Sequence, residues 1–177
     1  MTFTPATSVL LLIDLQARLM PAINGREAVI HNAMRLAQTA RLLDIPVLAT
    51  EQNPTGLGGN LPELKALVGA TLSKQHFDAT RETAWGTFLP AGRRDIVVAG
   101  CEAHVCVLQT VMGLRRAGHA VRLVRDAVGA RTASNRDAAL ARAERHGAEL
   151  VTTEMVIFEW LETCNHPAFR NALKLVK

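Results

Sequence analysis

The stretch VLLLID, residues 9–14, is an unbroken apolar run that ends in a carboxylate. Similar runs recur at 45–49, 96–99, 120–124 and 149–152. A strand with one face in water alternates apolar and polar residues, whereas a strand covered on both faces is apolar throughout. The runs therefore predict strands that are buried between two layers of helices.

Helical periods separate these runs. Apolar residues recur at three- and four-residue spacing in 26–43, 105–117 and 135–146, as they do on one face of a helix. For the third of these helices, Ser134 is the predicted N-cap, and Gly147 follows the predicted end.

Strands that alternate with helices predict an α/β fold, with three α/β/α layers around a doubly wound and mostly parallel sheet. The sheet has six strands if the short run TLSK at 71–74 is one of them. No linker, repeat or low-complexity segment interrupts residues 1–177, so we expect a single domain.

The composition argues against several classes of protein. The chain is 49% hydrophobic, which is ordinary for a soluble protein, and it has no apolar run of the roughly 20 residues that a membrane span needs. The first residues lack a basic segment and a small-residue cleavage site, so we expect no secretion signal. Three scattered cysteines favour a reducing compartment over a disulfide framework. We therefore expect a cytoplasmic protein with no membrane partner.

The net charge of +4 comes from 16 arginines and four lysines. Residues 115–145 hold eight of these arginines against three acids. A nucleic-acid surface usually adds exposed aromatic rings for stacking, but this chain has no Tyr and only two Trp. We expect the arginines to lie on solvated helix faces, and we predict no nucleic-acid partner.

Three reactive side chains follow predicted strands. Asp14 ends the first run, Lys74 ends TLSK, and Cys106 comes a few residues after the run at 96–99. Open parallel sheets bind ligands beyond the carboxyl ends of their strands. An acid, a base and a thiol are therefore expected at one edge of the sheet.

The stretch VVAGCEAHVCVLQT, residues 97–110, allows three interpretations of its cysteines. A zinc site at Cys101, His104 and Cys106 would need a fourth ligand, and the remaining cysteine, Cys164, is remote in sequence. A redox pair usually has two residues between its cysteines, but here there are four. The third interpretation is one nucleophile: Cys106 falls near a helix N-terminus, which stabilises a thiolate, and Cys101 packs as a small hydrophobe.

Glycine and proline mark EQNPTGLGGNLPE, residues 51–63, as a loop. Its GLGGN segment lacks both the Lys-Ser/Thr ending of a P-loop and the glycine spacing of a dinucleotide site. We expect this segment to form a flexible rim of the binding pocket.

Three motifs, IDLQ at 13–16, SKQHFDA at 73–79 and VVAGCEAHVCVLQT at 97–110, together resemble the isochorismatase-like cysteine hydrolases. The resemblance extends from about residue 8 to residue 160. It is greatest to the small isochorismatase-domain hydrolases, which have segments like TEQNPTGLG and EMVIFEWL in this chain. The resemblance implies a six-stranded parallel sheet flanked by helices, an Asp-Lys-Cys triad and a homo-oligomer.

Residue by residue, the resemblance implies that Asp14 is the base, Lys74 its charge partner and Cys106 the nucleophile. It also implies a cis peptide at Cys101–Glu102 and an oxyanion hole made by the backbone N–H groups of Glu102 and Cys106. The candidate substrate contacts are Gln16, Gln52, Phe77 and His104.

Two departures from the patterns of this superfamily restrict the type of reaction that we predict. Nicotinamidases of this superfamily hold a metal through an Asp and histidines after strand two, but residues 45–75 contain neither His nor Asp. The resemblance therefore implies an enzyme with no metal and no other cofactor. True isochorismatases cleave a vinyl ether and do not need the cysteine, so Cys106 favours attack on a carbonyl carbon. The predicted substrate is a small molecule with an amide, carbamoyl or ureido C–N bond, cleaved through a thioester.

The alternative function is a thiol-based redox-sensing or ligand-binding oligomer without hydrolytic turnover, because low-pKa cysteines are also the oxidisable ones. We expect the Lys74 cation to outweigh the Asp14 carboxylate and to lower the pKa of Cys106. We also expect the apolar side chains of 154–169, EMVIFEWLETCNHPAF, to contribute to an oligomer interface.

Overall fold

The predicted apolar runs form the strands of one sheet in the structure, a computed structural model that describes residues 3–177. Six strands are present: β1 Ser8–Ile13, β2 Val47–Gln52, β3 Ala70–Lys74, β4 Asp95–Cys101, β5 Ala120–Gly129 and β6 Glu149–Val151. Their order is β3-β2-β1-β4-β5-β6, and every neighbouring pair is parallel. The predicted six-stranded, doubly wound sheet is confirmed, and TLSK belongs to it.

Eight helices accompany the strands within residues 3–177: α1 Arg26–Leu42, α2 Pro54–Leu57, α3 Pro62–Lys65, α4 Trp85–Phe88, α5 Leu108–Arg116, α6 Ala133–Arg145, α7 Thr153–Leu161 and α8 Phe169–Val176. Short 3₁₀ turns occur at Met20–Ala22 and Ala79–Arg81, and a π-helical turn at Ala103–Val107 precedes α5. In this described part of the chain, no helix is long and apolar enough to cross a membrane.

Successive residues of β1 point to opposite faces of the sheet, and both faces are covered. Leu10 and Leu12 pack in the apolar cluster that contains Trp160 of α7, whereas Leu11 packs in the cluster that contains Val111 of α5. This double burial explains why the strand is apolar throughout, and it confirms the three layers.

The sheet has its topological switch point between β1 and β4. From these two central strands the chain builds the sheet outward in both directions, through β2 to the outer strand β3 on one side and through β5 to the outer strand β6 on the other. Gly100 of β4 has φ +126°, and a Cβ there would collide with the Ile13 carbonyl. A glycine is therefore needed where the carboxyl ends of β1 and β4 approach each other, at the position where such folds bind ligands.

Three details differ from the sequence predictions. Helix α6 is capped by Thr132, whose hydroxyl accepts from Asn135 N, so the prediction of Ser134 as N-cap is wrong. Thr132 has extended backbone angles, as an N-cap requires, whereas Ser134 is already inside the helix. The predicted glycine after α6 is correct, since Gly147 has φ +86°.

The second difference is the start of the helical segment predicted to begin at residue 105. A π-helical turn already begins at Ala103 and continues into α5. The third is the segment 51–63, predicted as a loop whose GLGGN part forms a flexible rim. This segment contains the end of β2, the short helix α2 and the start of α3. Asn60 fixes it to β2, because its backbone N–H donates to the Glu51 carboxylate and its side-chain amide donates to the Thr50 carbonyl.

Charged side chains gather at the amino edge of the sheet, at the starts of β4, β5 and β6. Arg122 donates to Asp95 and, at 3.2 Å, to Glu149, and its guanidinium carbon lies 4.3 Å from the Phe3 ring centroid. The Thr7 hydroxyl also donates to Asp95. We refer to Asp95, Arg122 and Glu149 as the amino-edge cluster; its charges have partners on several sides.

Candidate active site

Asp14, Lys74 and Cys106 meet at the carboxyl edge of the sheet, and we refer to them as the carboxyl-edge cluster. Asp14 follows β1 with φ +50°, Lys74 ends β3, and Cys106 lies in the π-helical turn after β4. Strand β2 lies between β1 and β3, so Lys74 spans two strand spacings of about 4.8 Å each with its four-carbon stem. Its Nζ lies 2.9 Å from Asp14 Oδ2, and neither side chain has any exposed surface.

Neighbouring side chains fix this ion pair from both ends. The Thr50 hydroxyl donates to Asp14 Oδ1 at 2.6 Å, and Lys74 Nζ donates to Gln52 Oε1 at 2.6 Å. The Gln52 amide is itself oriented, because its Nε2 donates to the Gln75 carbonyl at 2.8 Å. Apart from its ion pair with Lys74, Asp14 Oδ2 has no hydrogen-bond donor among residues 3–177. This oxygen can therefore accept a further proton.

The Cys106 thiol completes the cluster. Its sulfur is buried and lies 3.9 Å from Gln52 Oε1. Burial and the Asp14 carboxylate raise the pKa of this thiol to about 12, and Lys74 opposes them only in part. The prediction that the cation wins and lowers the thiol pKa is wrong, because the sequence does not reveal how completely the site excludes water.

The other two cysteines have different surroundings. Cys101 ends β4 with no exposed surface and packs in an apolar cluster, and burial raises its pKa to about 12. Cys164 is exposed. Among residues 3–177, no group of three or more His, Cys, Asp or Glu side chains is placed to hold a metal ion.

The backbone N–H of Glu102 has no partner within the described part of the chain. The Cys101–Glu102 peptide is cis. The Glu102 carboxylate accepts from the Arg131 backbone N–H at 3.2 Å and from Arg131 Nε at 3.0 Å. Arg131 thus holds the residue that follows β4.

The four candidate substrate contacts differ in whether their side chains are exposed or already engaged in hydrogen bonds within the protein. Gln16 is fully buried and uses its amide within the protein, since Nε2 donates to the Gln52 and Gly58 carbonyls and Oε1 accepts from Gln52 N. It therefore braces Gln52 and is not available to a substrate. Gln52 itself contacts Lys74. Phe77 is 50% exposed, and His104 is half-buried beside a neighbouring cavity.

Sequence reasoning missed Thr50 and Arg131. Thr50 pairs with Ile13 in the parallel register of β1 and β2, so a polar residue in that apolar strand, next to the strand that ends in Asp14, is a usable signal. Arg131 has no such local signal, because its partner Glu102 is 29 residues away.

Comparison with known families supports the resemblance seen in the motifs. The isochorismatase domain model matches residues 8–155. The chain belongs to the isochorismatase domain family. The match includes Asp14, Lys74 and Cys106, and it supports the interpretation of the chain as an isochorismatase-like hydrolase.

Individual relatives extend over nearly the whole chain. Isochorismatase domain-containing protein 2A of Mus musculus is 35% identical over 98% of this chain and 84% of its own length. A structure described as the MAR1 ribonuclease of Caenorhabditis elegans has a TM-score of 0.93 and 34% identity, covering 99% of this chain and 92% of its own. The Escherichia coli YcaC gene product, described as an octameric hydrolase of unknown specificity, shares the fold with a TM-score of 0.87 and 24% identity, covering 98% and 95%.

Proposed function

We propose that this protein is a metal-independent cysteine hydrolase that cleaves a C–N bond in an amide, carbamoyl or ureido group of a small molecule. The observation that carries the proposal is the buried ion pair of Asp14 and Lys74 beside the Cys106 thiol. Burying two charges without solvent is costly unless they are paired, and a thiol next to such a pair gains both a proton acceptor and a nearby cation.

In the first step, Cys106 transfers its proton to Asp14 as its sulfur attacks the substrate carbonyl carbon. Because the thiol pKa is about 12, the resting site holds a neutral thiol, and free thiolate is scarce at neutral pH. Proton transfer must therefore accompany the attack. Lys74, 2.9 Å from Asp14 Oδ2, stabilises the negative charge that moves onto the sulfur.

The attack converts the carbonyl oxygen to an oxyanion. The Glu102 N–H, which has no acceptor within residues 3–177, and the Cys106 N–H are the proposed donors to it. Loss of one such donor typically removes about 3 kcal/mol of transition-state stabilisation.

The remaining steps restore the site. The protonated Asp14 donates to the leaving nitrogen, the C–N bond breaks, and an acyl-thioester remains on Cys106. A water molecule then attacks the thioester while Asp14 takes its proton, and the departing sulfur regains that proton from Asp14. All protons are balanced between these two residues, so no cofactor takes part.

The raised thiol pKa also weighs against the alternative of a redox sensor. Oxidation to a sulfenic acid begins from the thiolate and favours exposed, low-pKa cysteines. Cys106 is only 6% exposed, and its pKa is raised. Hydrolysis with coupled proton transfer is therefore the function that we propose.

We also propose that the protein acts as a homo-oligomer. Met155 and Phe158 of α7 lie one turn apart and are 46% and 42% exposed, while Ile157, Trp160 and Leu161 are buried within the chain. Exposed apolar side chains on one helix face are typical of a contact surface, and the similar YcaC protein is described as octameric.

A substrate screen tests the proposed reaction. Wild type and Cys106→Ala are incubated with primary amides, carbamoyl compounds and ureido acids, and release of ammonia or amine is measured. Because a similar structure is described as a ribonuclease, RNA is included as a further substrate. We expect turnover of a C–N substrate by wild type alone. Cysteine-independent RNA cleavage, with no C–N turnover, would contradict the proposal.

A further inference from the structure

A cavity of about 330 Å³ lies beside the carboxyl-edge cluster, and none of the bond-making steps proposed above uses its side chains. Its wall includes Asp78, Arg81, His104, Arg116 and Arg142. The volume is within the range of small-molecule sites. Two of these arginines belong to the arginine-rich part of the sequence at 115–145.

The charge in this cavity is predominantly positive. Asp78 is 4% exposed, and its Oδ2 lies 2.9 Å from Arg116 Nη2. Its Oδ1 accepts from the backbone N and the hydroxyl of Thr80 at 3.0 and 2.6 Å. Neither Arg81 nor Arg142 has an acidic group within 4.0 Å among residues 3–177. Two guanidinium groups thus line the cavity without an anionic partner.

The part of the cavity wall that carries Asp78 is fixed by the fold, whereas the side chains of Arg81, Arg116 and Arg142 are exposed. A Cβ on Gly113 would lie 2.5 and 2.7 Å from the two Asp78 carboxylate oxygens, so only a glycine lets this carboxylate pack against α5. The Thr110 hydroxyl accepts from Ala79 N at 3.1 Å and contacts the Phe77 carbonyl at 3.3 Å. The segment that carries Asp78 is thereby fastened to the helix that follows the nucleophile.

The cavity borders two of the segments that form the carboxyl-edge cluster. Asp78 follows Lys74 by four residues, and His104 precedes Cys106 by two within the same π-helical turn. Nδ1 of His104 is buried without a hydrogen-bond partner among residues 3–177. The cavity therefore adjoins the two segments that carry Lys74 and Cys106.

We propose that this arginine cavity, defined by Arg81, His104, Arg116 and Arg142, binds the carboxylate or phosphate group of a small molecule. Guanidinium groups bind both anions through paired N–H donors. The anion belongs either to the substrate, in which case the inference rests on the proposed function, or to a separate small ligand.

Binding of inorganic phosphate tests the site directly. Titration calorimetry at low salt is carried out on wild type, Arg81→Gln and Arg142→Gln, with Arg145→Gln as the matched control. Arg145 lies on α6 one turn after Arg142 and is not part of the cavity wall. Each cavity variant is expected to weaken phosphate binding by about tenfold, and the control to leave it unchanged. Equal affinity in all four proteins, or no binding by wild type, would overturn the proposal.

The same titration on Cys106→Ala separates this inference from the proposed reaction, since phosphate binding should persist without the nucleophile. Kinetics with an anionic ureido acid and a neutral amide then identify the source of the anion. An Arg142→Gln variant whose KM rises about tenfold for the ureido acid alone assigns the site to the substrate. An unchanged KM for both substrates, with phosphate binding still weakened in the calorimeter, assigns it to a separate anion.

Discussion

Two clusters of charged side chains lie at opposite edges of the same sheet, and they differ in how their charges are satisfied. In the amino-edge cluster, Arg122 pairs with Asp95 and with the 61% exposed Glu149, and it covers the Phe3 ring. In the carboxyl-edge cluster, Asp14 and Lys74 are fully enclosed. There, one carboxylate oxygen accepts no hydrogen bond other than from its ion-pair partner.

The difference separates stability from chemistry. At the amino edge, several protein partners hold the Arg122 and Asp95 side chains in one arrangement, which suits a structural role. At the carboxyl edge, burial and the Asp14 carboxylate raise the pKa of the Cys106 thiol to about 12, and in the proposed reaction these two residues share a proton. We therefore expect substitutions at the amino edge to change the free energy of unfolding, and those at the carboxyl edge to change turnover.

The largest effect is expected from Cys106→Ser. A hydroxyl is a weaker nucleophile than a thiol at this position, so kcat should fall by at least about a thousandfold while the circular dichroism spectrum and melting temperature stay close to wild type. The matched control is Cys164→Ser, at an exposed site, which should retain full activity. A wild-type kcat in Cys106→Ser would show that the carboxyl-edge cluster does not provide the nucleophile.

Arg122→Met should have the opposite profile. The variant keeps an apolar stem on Phe3 but leaves the buried part of Asp95 without its cation, so urea unfolding should show a loss of about 2 kcal/mol. We compare it with Arg26→Met, which breaks an exposed pair with Glu27 and should cost less than about 0.5 kcal/mol. A large fall in kcat of folded Arg122→Met, without a change in stability, would abolish the distinction between the two edges.

The alkylation of Cys106 by iodoacetamide sharpens the account of the carboxyl edge. Because the thiol pKa is about 12, the rate in a Cys164→Ser background should remain low at neutral pH and rise only in strongly alkaline buffer. Lys74→Ala removes the opposing cation and should shift the profile to higher pH, by about one unit or more. Asp14→Asn removes a like charge and should shift it to lower pH. Shifts in the same direction would mean that these residues do not flank the sulfur as described.

The smallest effect concerns stability in alkali. Burial raises the pKa of Cys101 from 9.0 to about 12, so above pH 9 the unfolded chain releases a proton that the folded chain retains. The stability that the protonated Cys101 thiol allows is therefore fully present below pH 9, and it declines as the pH rises toward 12. At pH 10, each such thiol lowers the free energy of unfolding by about 1.4 kcal/mol. Cys101→Ala should therefore lose less stability than wild type between pH 8 and pH 10, and equal losses would contradict the burial argument.

The carboxyl-edge cluster could be predicted from sequence because each of its residues follows a strand. Parallel strands bring their carboxyl ends to one edge, so Asp14, Lys74 and Cys106 needed only the correct number of strands to be placed together. The motif resemblance then supplied the roles that we propose for them. The same reasoning located the cysteine that packs, Cys101, at the end of an apolar run.

The thiol pKa and the amino-edge cluster could not be predicted in this way. The pKa depends on how far water is excluded from Cys106 and on the balance of two opposite charges, neither of which a linear pattern records. Arg122 occurs in AVRLV, an apolar run, and both of its acidic partners are 27 residues away along the chain. The N-cap at Thr132 in place of Ser134 is a smaller case, decided by backbone angles two residues apart.

The most direct test of the central claim, that a neutral Cys106 thiol becomes the nucleophile by passing its proton to Asp14, is to trap the acyl-enzyme. The protein is mixed with an amide that the wild-type enzyme hydrolyses. The reaction is quenched in acid within the first turnover, and the protein is digested for peptide mass spectrometry. We expect an acyl group on Cys106 in wild type, and no acyl group in Cys106→Ala or, within the same time, in Asp14→Asn. Substrate hydrolysis with no acyl group on Cys106, or equal acylation in Asp14→Asn, would contradict this claim.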